Sequence, residues 1–210
     1  MQRQRAAVVL GIGNVLWADE GFGVRAIEAL HSGWEFPSAV EMVEGGTLGM
    51  NLAEYVETTD RLLILDAIDF GLAPGALKVV RDGEVPAWGA AKLSPHQTGF
   101  NDILALAALR GCAPAHLTLI GVQPEELNDL GGSLRPAVRA RLPEVVELAV
   151  QELAAWGFPG RRRAAGETAE PLNSAALALG IYERDRPSAE DACRIGDPRV
   201  LARATDSGER

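Results

Sequence analysis

The stretch AAVVLGIGN, residues 6–14, decides the fold of this chain. Ala6 to Ile12 form a continuous apolar run that ends at Gly13, which predicts a strand buried on both faces and a turn after it. From about Glu20 the apolar residues recur at helical spacing. Strand, loop and helix in this order are typical of a parallel α/β unit.

The same alternation continues along the chain. Further apolar or alternating segments predict strands at Val40 to Val43, Leu62 to Ile68, Ala76 to Val80 (antiparallel) and Leu117 to Val122. Helical spacing predicts helices at Leu48 to Val56, Phe100 to Leu109 and Ala137 to Trp156. We therefore expect a three-layer α/β/α sandwich with a twisted, mostly parallel sheet.

The composition changes after Trp156. Residues 160–210 contain three consecutive arginines and few aromatic or β-branched residues, a composition typical of a disordered, low-complexity tail. One segment in it, Ser174 to Tyr182, is apolar enough to form a short helix. We expect a single domain over residues 1–159, and truncation at Gly160 to shift the melting transition by only a few degrees.

The acidic composition bears on partners and compartment. The net charge is −9, from 29 acidic against 20 basic side chains, which repels a phosphate backbone, so no nucleic-acid partner is expected. No stretch approaches the ~20 apolar residues that a membrane span requires. Cys112 and Cys193 form no C-x-x-C pair. We expect a monomer in the reducing cytoplasm, without membrane insertion.

Asp66 interrupts the apolar segment Leu62 to Ile68. Burying a carboxylate is unfavourable unless the group is paired or faces a site. At the carboxyl end of a parallel strand, Asp66 would face the crevice in which open α/β sheets bind ligands. The alternative is a structural carboxylate bonded to loop amides.

Glu20 lies between the first strand and the first helix, at the same edge of the sheet. Its neighbour Asp19 is also acidic, and either side chain could accept bonds from free N–H groups at the helix start. We expect one of the two to serve the helix and the other to face the crevice.

His96 follows Pro95 in a loop whose proline and Gly99 restrict the backbone on either side of the imidazole. A solvated loop histidine is the alternative reading. Together, Glu20, Asp66 and His96 offer oxygen and nitrogen ligands that suit a divalent first-row metal and leave coordination positions open. A closed structural zinc site would prefer thiolates.

Several common hydrolytic patterns are absent from the sequence: H-E-x-x-H, G-x-S-x-G and S-x-x-K. The segment Gly11-Ile12-Gly13 imitates the start of a dinucleotide-binding fingerprint. However, Leu16 stands where the third glycine would fall, and its side chain would obstruct the phosphate. Neither a nicotinamide nor a flavin cofactor is expected.

Four motifs together resemble the nickel–iron hydrogenase maturation endopeptidases. They are GIGNVLWADEGFGVR (residues 11–25), EGGT (44–47), LDA (65–67) and SPHQ (94–97). The resemblance spans Val8 to about Trp156 and implies a largely parallel α/β fold. It also implies a metal-contacting trio that matches Glu20, Asp66 and His96.

The resemblance further implies a substrate, the precursor of the hydrogenase large subunit, whose C-terminal extension is removed after nickel insertion. The nickel belongs to that substrate and is contacted only transiently. We therefore expect a nickel-recognising, metal-dependent endopeptidase of the aspartic type, with Asp66 and Glu20 as catalytic residues. Which of them is the general base stays open, as does the role of Glu44, where some relatives carry aspartate.

Two other functions fit the same residues. A nonenzymatic nickel-sensing chaperone of hydrogenase assembly would use the trio to inspect a partner without cutting it. A small-molecule hydrolase or phosphorylase of related topology would instead have a pocket lined by arginine and backbone amides.

Overall fold

The computed structural model describes residues 5–85 and 95–186, and only the backbone of residues 95–99. Its strands are β1 (Arg5–Ile12), β2 (Trp34–Glu35), β3 (Val40–Gly46), β4 (Thr59–Ala67), β5 (Leu77–Arg81), β6 (His116–Val122) and β7 (Arg161–Arg162). Five of them form one sheet in the order β3-β1-β4-β6-β5, and β2 pairs with β7. In the large sheet only β5 is antiparallel, so the predicted mostly parallel sheet is confirmed.

Helices cover both faces of this sheet. They are α1 (Phe22–Gly33), α2 (Ala53–Thr58), α3 (Pro95–Leu109), α4 (Pro136–Arg139), α5 (Leu142–Ala155) and α6 (Leu179–Asp185), with 3₁₀ turns at Ala18–Gly21, Gly49–Leu52 and Ala175–Leu177. Among the described residues, no helix combines the length and the apolar composition needed to cross a bilayer.

The buried run in β1 explains the three layers. Val9 packs in a cluster with α1 and α5, whereas Val8 and Leu10, which point to the other face, pack in a second cluster with α2 and α3. All three side chains are fully buried. A strand covered on both faces therefore requires apolar residues at successive positions, as the sequence predicted.

The closing helix differs from the prediction. A continuous helix from Ala137 to Trp156 is wrong, because α4 ends at Arg139 and α5 begins at Leu142. Pro143 explains the break, since a residue without an N–H group is tolerated only in the first turn of a helix. In addition, α3 begins five residues before the predicted start at Phe100.

Residues 161–185, which we term the C-terminal strap, lie against the domain. β7 pairs with β2, and Leu172 packs on the core cluster of α1 and α5. The buried Arg25 donates to the carbonyl oxygen of Leu177 and lies against the Tyr182 ring. The Tyr182 hydroxyl donates in turn to the loop that follows β6. These contacts give the segment more structure than its composition predicts.

We therefore expect truncation after Gly160 to lower the melting temperature by about 5–10 °C, a larger shift than the composition indicates. The physical reason is that Arg25 loses its carbonyl partner and the core loses the cover of Leu172, together worth about 2–3 kcal/mol. Unfolding should remain cooperative because the five-stranded sheet is complete without the strap. Thermal unfolding followed by circular dichroism measures the shift, and an unchanged transition would contradict it.

Candidate active site

The loop between β1 and α1 closes tightly and sets the position of Glu20. Gly13 has a φ of +137°, and a Cβ atom there would lie 1.8 Å from the carbonyl oxygen of Glu20. The backbone N–H of Asn14 donates to the same oxygen at 3.1 Å. Only glycine permits this approach. Glu20 is therefore held at the carboxyl end of β1.

A second close approach brings α1 to the end of β4. A Cβ atom at Gly23 would lie 2.1 Å from the carbonyl oxygen of Leu65 and 2.2 Å from that of Ile12. The first turn of α1 therefore rests directly on β1 and β4. Its contact with β4 is at Leu65, the residue before Asp66. As predicted from the sequence order, Glu20 and Asp66 lie at the same edge of the sheet.

Asp66 is 3% exposed, at the penultimate position of β4. Its Oδ1 atom accepts the backbone N–H of Ala67 at 2.7 Å. A hydrogen bond of this kind fixes the orientation of the carboxylate. The bond is local, so it is compatible both with a structural role and with a group oriented toward the crevice.

Glu20 is half-buried in the 3₁₀ turn that precedes α1. Desolvation by burial raises the pKa of its carboxyl group to about 7. A group with this pKa is about equally protonated and ionised in neutral solution, whereas an approaching cation favours the ionised form. The carboxyl group is therefore poised to exchange a proton near neutral pH.

The predicted loop position of His96 is wrong, because the backbone is already helical from Pro95 and His96 lies in the first turn of α3. Its side chain is outside the described part of the structure. Among the side chains that are described, no three His, Cys, Asp or Glu residues converge to hold a metal ion. The two carboxylates thus share one edge of the sheet, while the metal-contacting trio of Glu20, Asp66 and His96 stays a prediction.

Asp19 has a role that the sequence left undecided. It is fully buried, and its Oδ2 atom accepts the backbone N–H groups of Glu125 and Glu126, each at 2.9 Å. Its Oδ1 atom accepts the N–H of Arg135 at 2.7 Å. Asp19 therefore anchors the loop after β6 beside Glu20, since its two oxygens accept from that loop.

Gln123 was not identified as a functional candidate from the sequence. Its side-chain Oε1 atom accepts the N–H groups of Phe70 at 2.8 Å and of Leu72 at 3.1 Å, and its Nε2 atom donates to Asp69. It thereby fixes the loop that follows Asp66. The sequence contains one indication of this role, a polar side chain directly after the buried strand β6.

Glu44 lies two residues before the carboxyl end of the neighbouring strand β3, at the same edge. Burial and the nearby Glu28 raise the pKa of its carboxyl group, and Arg25 opposes the shift. Gly46 has a φ of +42°, and a Cβ atom there would lie 2.7 Å from Oε1 of Glu44. Gly46 therefore makes room for this carboxylate.

With the two carboxylates placed, comparison with known proteins decides the family. The family model described as hydrogenase maturation protease matches residues 24–152, which include Asp66 and His96. The chain belongs to this family. The resemblance inferred from the four motifs is thereby confirmed.

Individual relatives of this maturation protease agree. The hydrogenase expression/formation protein HupD of Thiocapsa roseopersicina is 52% identical over 203 residues, which cover 96% of this chain and 92% of the relative. The hydrogenase 2 maturation protease of Escherichia coli is 44% identical over 141 residues, covering 67% and 85%. The structure of the hydrogenase maturating endopeptidase HybD from E. coli has a TM-score of 0.72 and 40% identity, covering 75% of this chain and 98% of that one.

These relatives differ in how much of this chain they align with. The alignment with the Thiocapsa protein extends over almost the whole chain, whereas about a quarter of the chain has no counterpart in the E. coli structure. The family model ends at residue 152, before the C-terminal strap. The family relationship supports a hydrolase of the endopeptidase class. The C-terminal strap lies outside the residues that the family model matches.

Proposed function

We propose that this endopeptidase removes the C-terminal extension of a nickel–iron hydrogenase large-subunit precursor after nickel insertion. The observation that carries the proposal is the position of Glu20 and Asp66 at one sheet edge, fixed by the contacts of Gly13 and Gly23, in a member of the maturation protease family. Relatives named as maturation proteases and endopeptidases support the same activity.

The chemistry proposed for this edge is aspartic-type peptide hydrolysis. Water attacks the carbonyl carbon of the scissile bond, the C–N bond breaks, and the departing nitrogen takes up a proton. One of the carboxylates, Asp66 or Glu20, accepts the proton from the attacking water. Burial raises the pKa of Glu20 to about 7, so its carboxyl group can exchange a proton near neutral pH. The bond from the N–H of Ala67 orients the carboxylate of Asp66.

Nickel enters this proposal as part of the substrate. Carboxylate oxygens of Glu20 and Asp66 and the imidazole of His96 would contact a metal that the precursor already holds. Three such ligands, without a thiolate, are too few for tight storage but sufficient for transient contact. Nickel would then polarise the scissile carbonyl or the attacking water and identify the precursor as ready.

The nonenzymatic chaperone is the weaker alternative. It would use the same edge of the sheet, but the family model and the E. coli relatives reported above are named as proteases or endopeptidases. The sequence-based expectations of a cytoplasmic monomer, without membrane insertion, complete the proposal. They rest on the composition and on the absence of a C-x-x-C pair.

Purified precursor tests the function directly. We expect the parent protein to cause one discrete C-terminal mass loss in nickel-loaded precursor and none in nickel-free precursor, as measured by intact-mass spectrometry. Unchanged mass of the loaded precursor would reject the endopeptidase and favour the chaperone. Equal cleavage of both precursors would retain the endopeptidase and reject nickel recognition.

A further inference from the structure

Exposed apolar side chains are concentrated around the candidate active site. Among the described residues, six large apolar side chains are exposed, and five of them lie on loops that follow the parallel strands. We term these five the apolar rim: Leu16, Leu48, Met50, Leu72 and Leu130. Scattered exposed hydrophobic residues are normal on a protein surface, but their collection at one edge requires a reason.

The rim follows the strand order. Leu48 and Met50 come after β3, Leu16 after β1, Leu72 after β4 and Leu130 after β6. These four strands are adjacent and parallel, so their carboxyl ends form one edge. Three intervals between neighbouring strands make this edge roughly 15 Å wide. The rim therefore extends along the edge on which Glu20 and Asp66 lie.

Hydrogen bonds hold the backbone of the rim. The N–H of Leu16 donates to Asn14 Oδ1 at 3.0 Å, and its carbonyl oxygen accepts the N–H of Gly131 at 2.7 Å, which joins the loops after β1 and β6. The N–H of Leu48 donates to the carbonyl oxygen of Gly45 at 2.9 Å. The backbone that carries these exposed side chains is already held in place. Binding of a partner would therefore cost little entropy for ordering the loops.

We propose that the apolar rim is the docking surface for an extended, apolar segment of the precursor next to its cleavage site. This inference rests on the proposed function, because an endopeptidase must hold a stretch of polypeptide across its carboxylates. At about 3.3 Å per residue, an edge of roughly 15 Å accommodates about four or five extended residues. The carboxylates of Glu20, Glu44 and Asp66 at this edge, and the net charge of −9, disfavour acidic side chains in that segment.

The test compares the double variant Leu48→Ser/Met50→Ser and the single variant Leu72→Ser with the parent protein. We expect the Kd for nickel-loaded precursor and the KM for its cleavage to rise about tenfold in the double variant. The value of kcat should change by less than about twofold, because the reacting groups are untouched. All variants should melt like the parent, since the altered side chains are exposed.

Leu109→Ser is the matched control. Leu109 is 85% exposed at the end of α3, and the chain continues from there to the amino end of β6, away from the rim. Its replacement should leave Kd and KM unchanged. If the rim variants bind precursor as tightly as the parent and the control, the docking surface is rejected while cleavage stands.

The proposed function can fail separately from the docking surface. If the parent binds precursor through the rim without cutting it, the docking surface is supported and the endopeptidase is rejected. If Kd rises equally in the rim variants and in Leu109→Ser, the effect is not specific to the edge and the inference is overturned. A parent protein that neither binds nor cuts the precursor rejects both.

Discussion

Replacement of Asp66 by asparagine is expected to lower the rate of precursor cleavage about a hundredfold or more. Asparagine has the same shape and retains a side-chain oxygen, which can keep the bond to the N–H of Ala67. The substitution therefore removes the negative charge and leaves the local geometry. Cleavage of nickel-loaded precursor, followed by intact mass, measures the loss, and circular dichroism establishes that the variant is folded.

Asp60→Asn is a matched control for the loss of charge. Asp60 lies at the other end of the same strand, where its carboxylate pairs with Arg61 at 2.8 Å. The chemical change is identical, but it occurs at the amino edge of the sheet. We expect cleavage within about twofold of the parent, because this partly buried pair lies at the opposite edge of the sheet from the reacting groups.

His96→Ala completes this series, since it would remove the nitrogen ligand of the predicted trio. A loss of cleavage comparable to that of Asp66→Asn would support shared contact with the substrate's nickel. Full activity of both variants would reject metal contact through these residues. Glu20 and Asp66 would then be carboxylates with a structural role at the sheet edge.

The strands were predictable because a strand that is buried on both faces has apolar residues at successive positions. β1, β4 and β6 coincide with predominantly apolar segments, to within a few residues at each end. The position of Asp66 in such a segment also fixed its edge of the sheet. Local pattern and tertiary structure agree in these strands because the last six residues of each are buried.

Other features depend on contacts between distant residues. From its composition alone, the C-terminal strap is predicted to be a disordered tail. However, Leu172 packs on the core cluster and the Tyr182 ring lies against Arg25, and these partners come far earlier in the chain. In the same way, adjacent carboxylates at positions 19 and 20 look equivalent in the sequence. The loop after β6, more than a hundred residues away, gives Asp19 its role by donating three backbone N–H groups to its carboxylate.

This distinction predicts a large loss of stability in Asp19→Ala. The substitution leaves the backbone N–H groups of Glu125, Glu126 and Arg135 without the acceptor that they have in the folded protein. The three bonds are partly buried, so each unsatisfied donor costs toward the lower end of about 1–3 kcal/mol. We expect the free energy of unfolding to fall by about 3–5 kcal/mol, with a melting temperature at least about 10 °C lower.

Two further variants serve as references for the loss of stability. In Asp19→Asn one oxygen can still accept two N–H groups, but the amide nitrogen then faces the N–H of Arg135, so the loss should be intermediate. Glu125→Ala removes an exposed carboxylate from the same loop and should change the stability by less than about 0.5 kcal/mol. Urea unfolding of all three proteins measures the order. If Asp19→Ala were as stable as Glu125→Ala, the anchoring of this loop by Asp19 would be wrong, and Glu20 would owe its position to the glycine contacts of β1 and α1 alone.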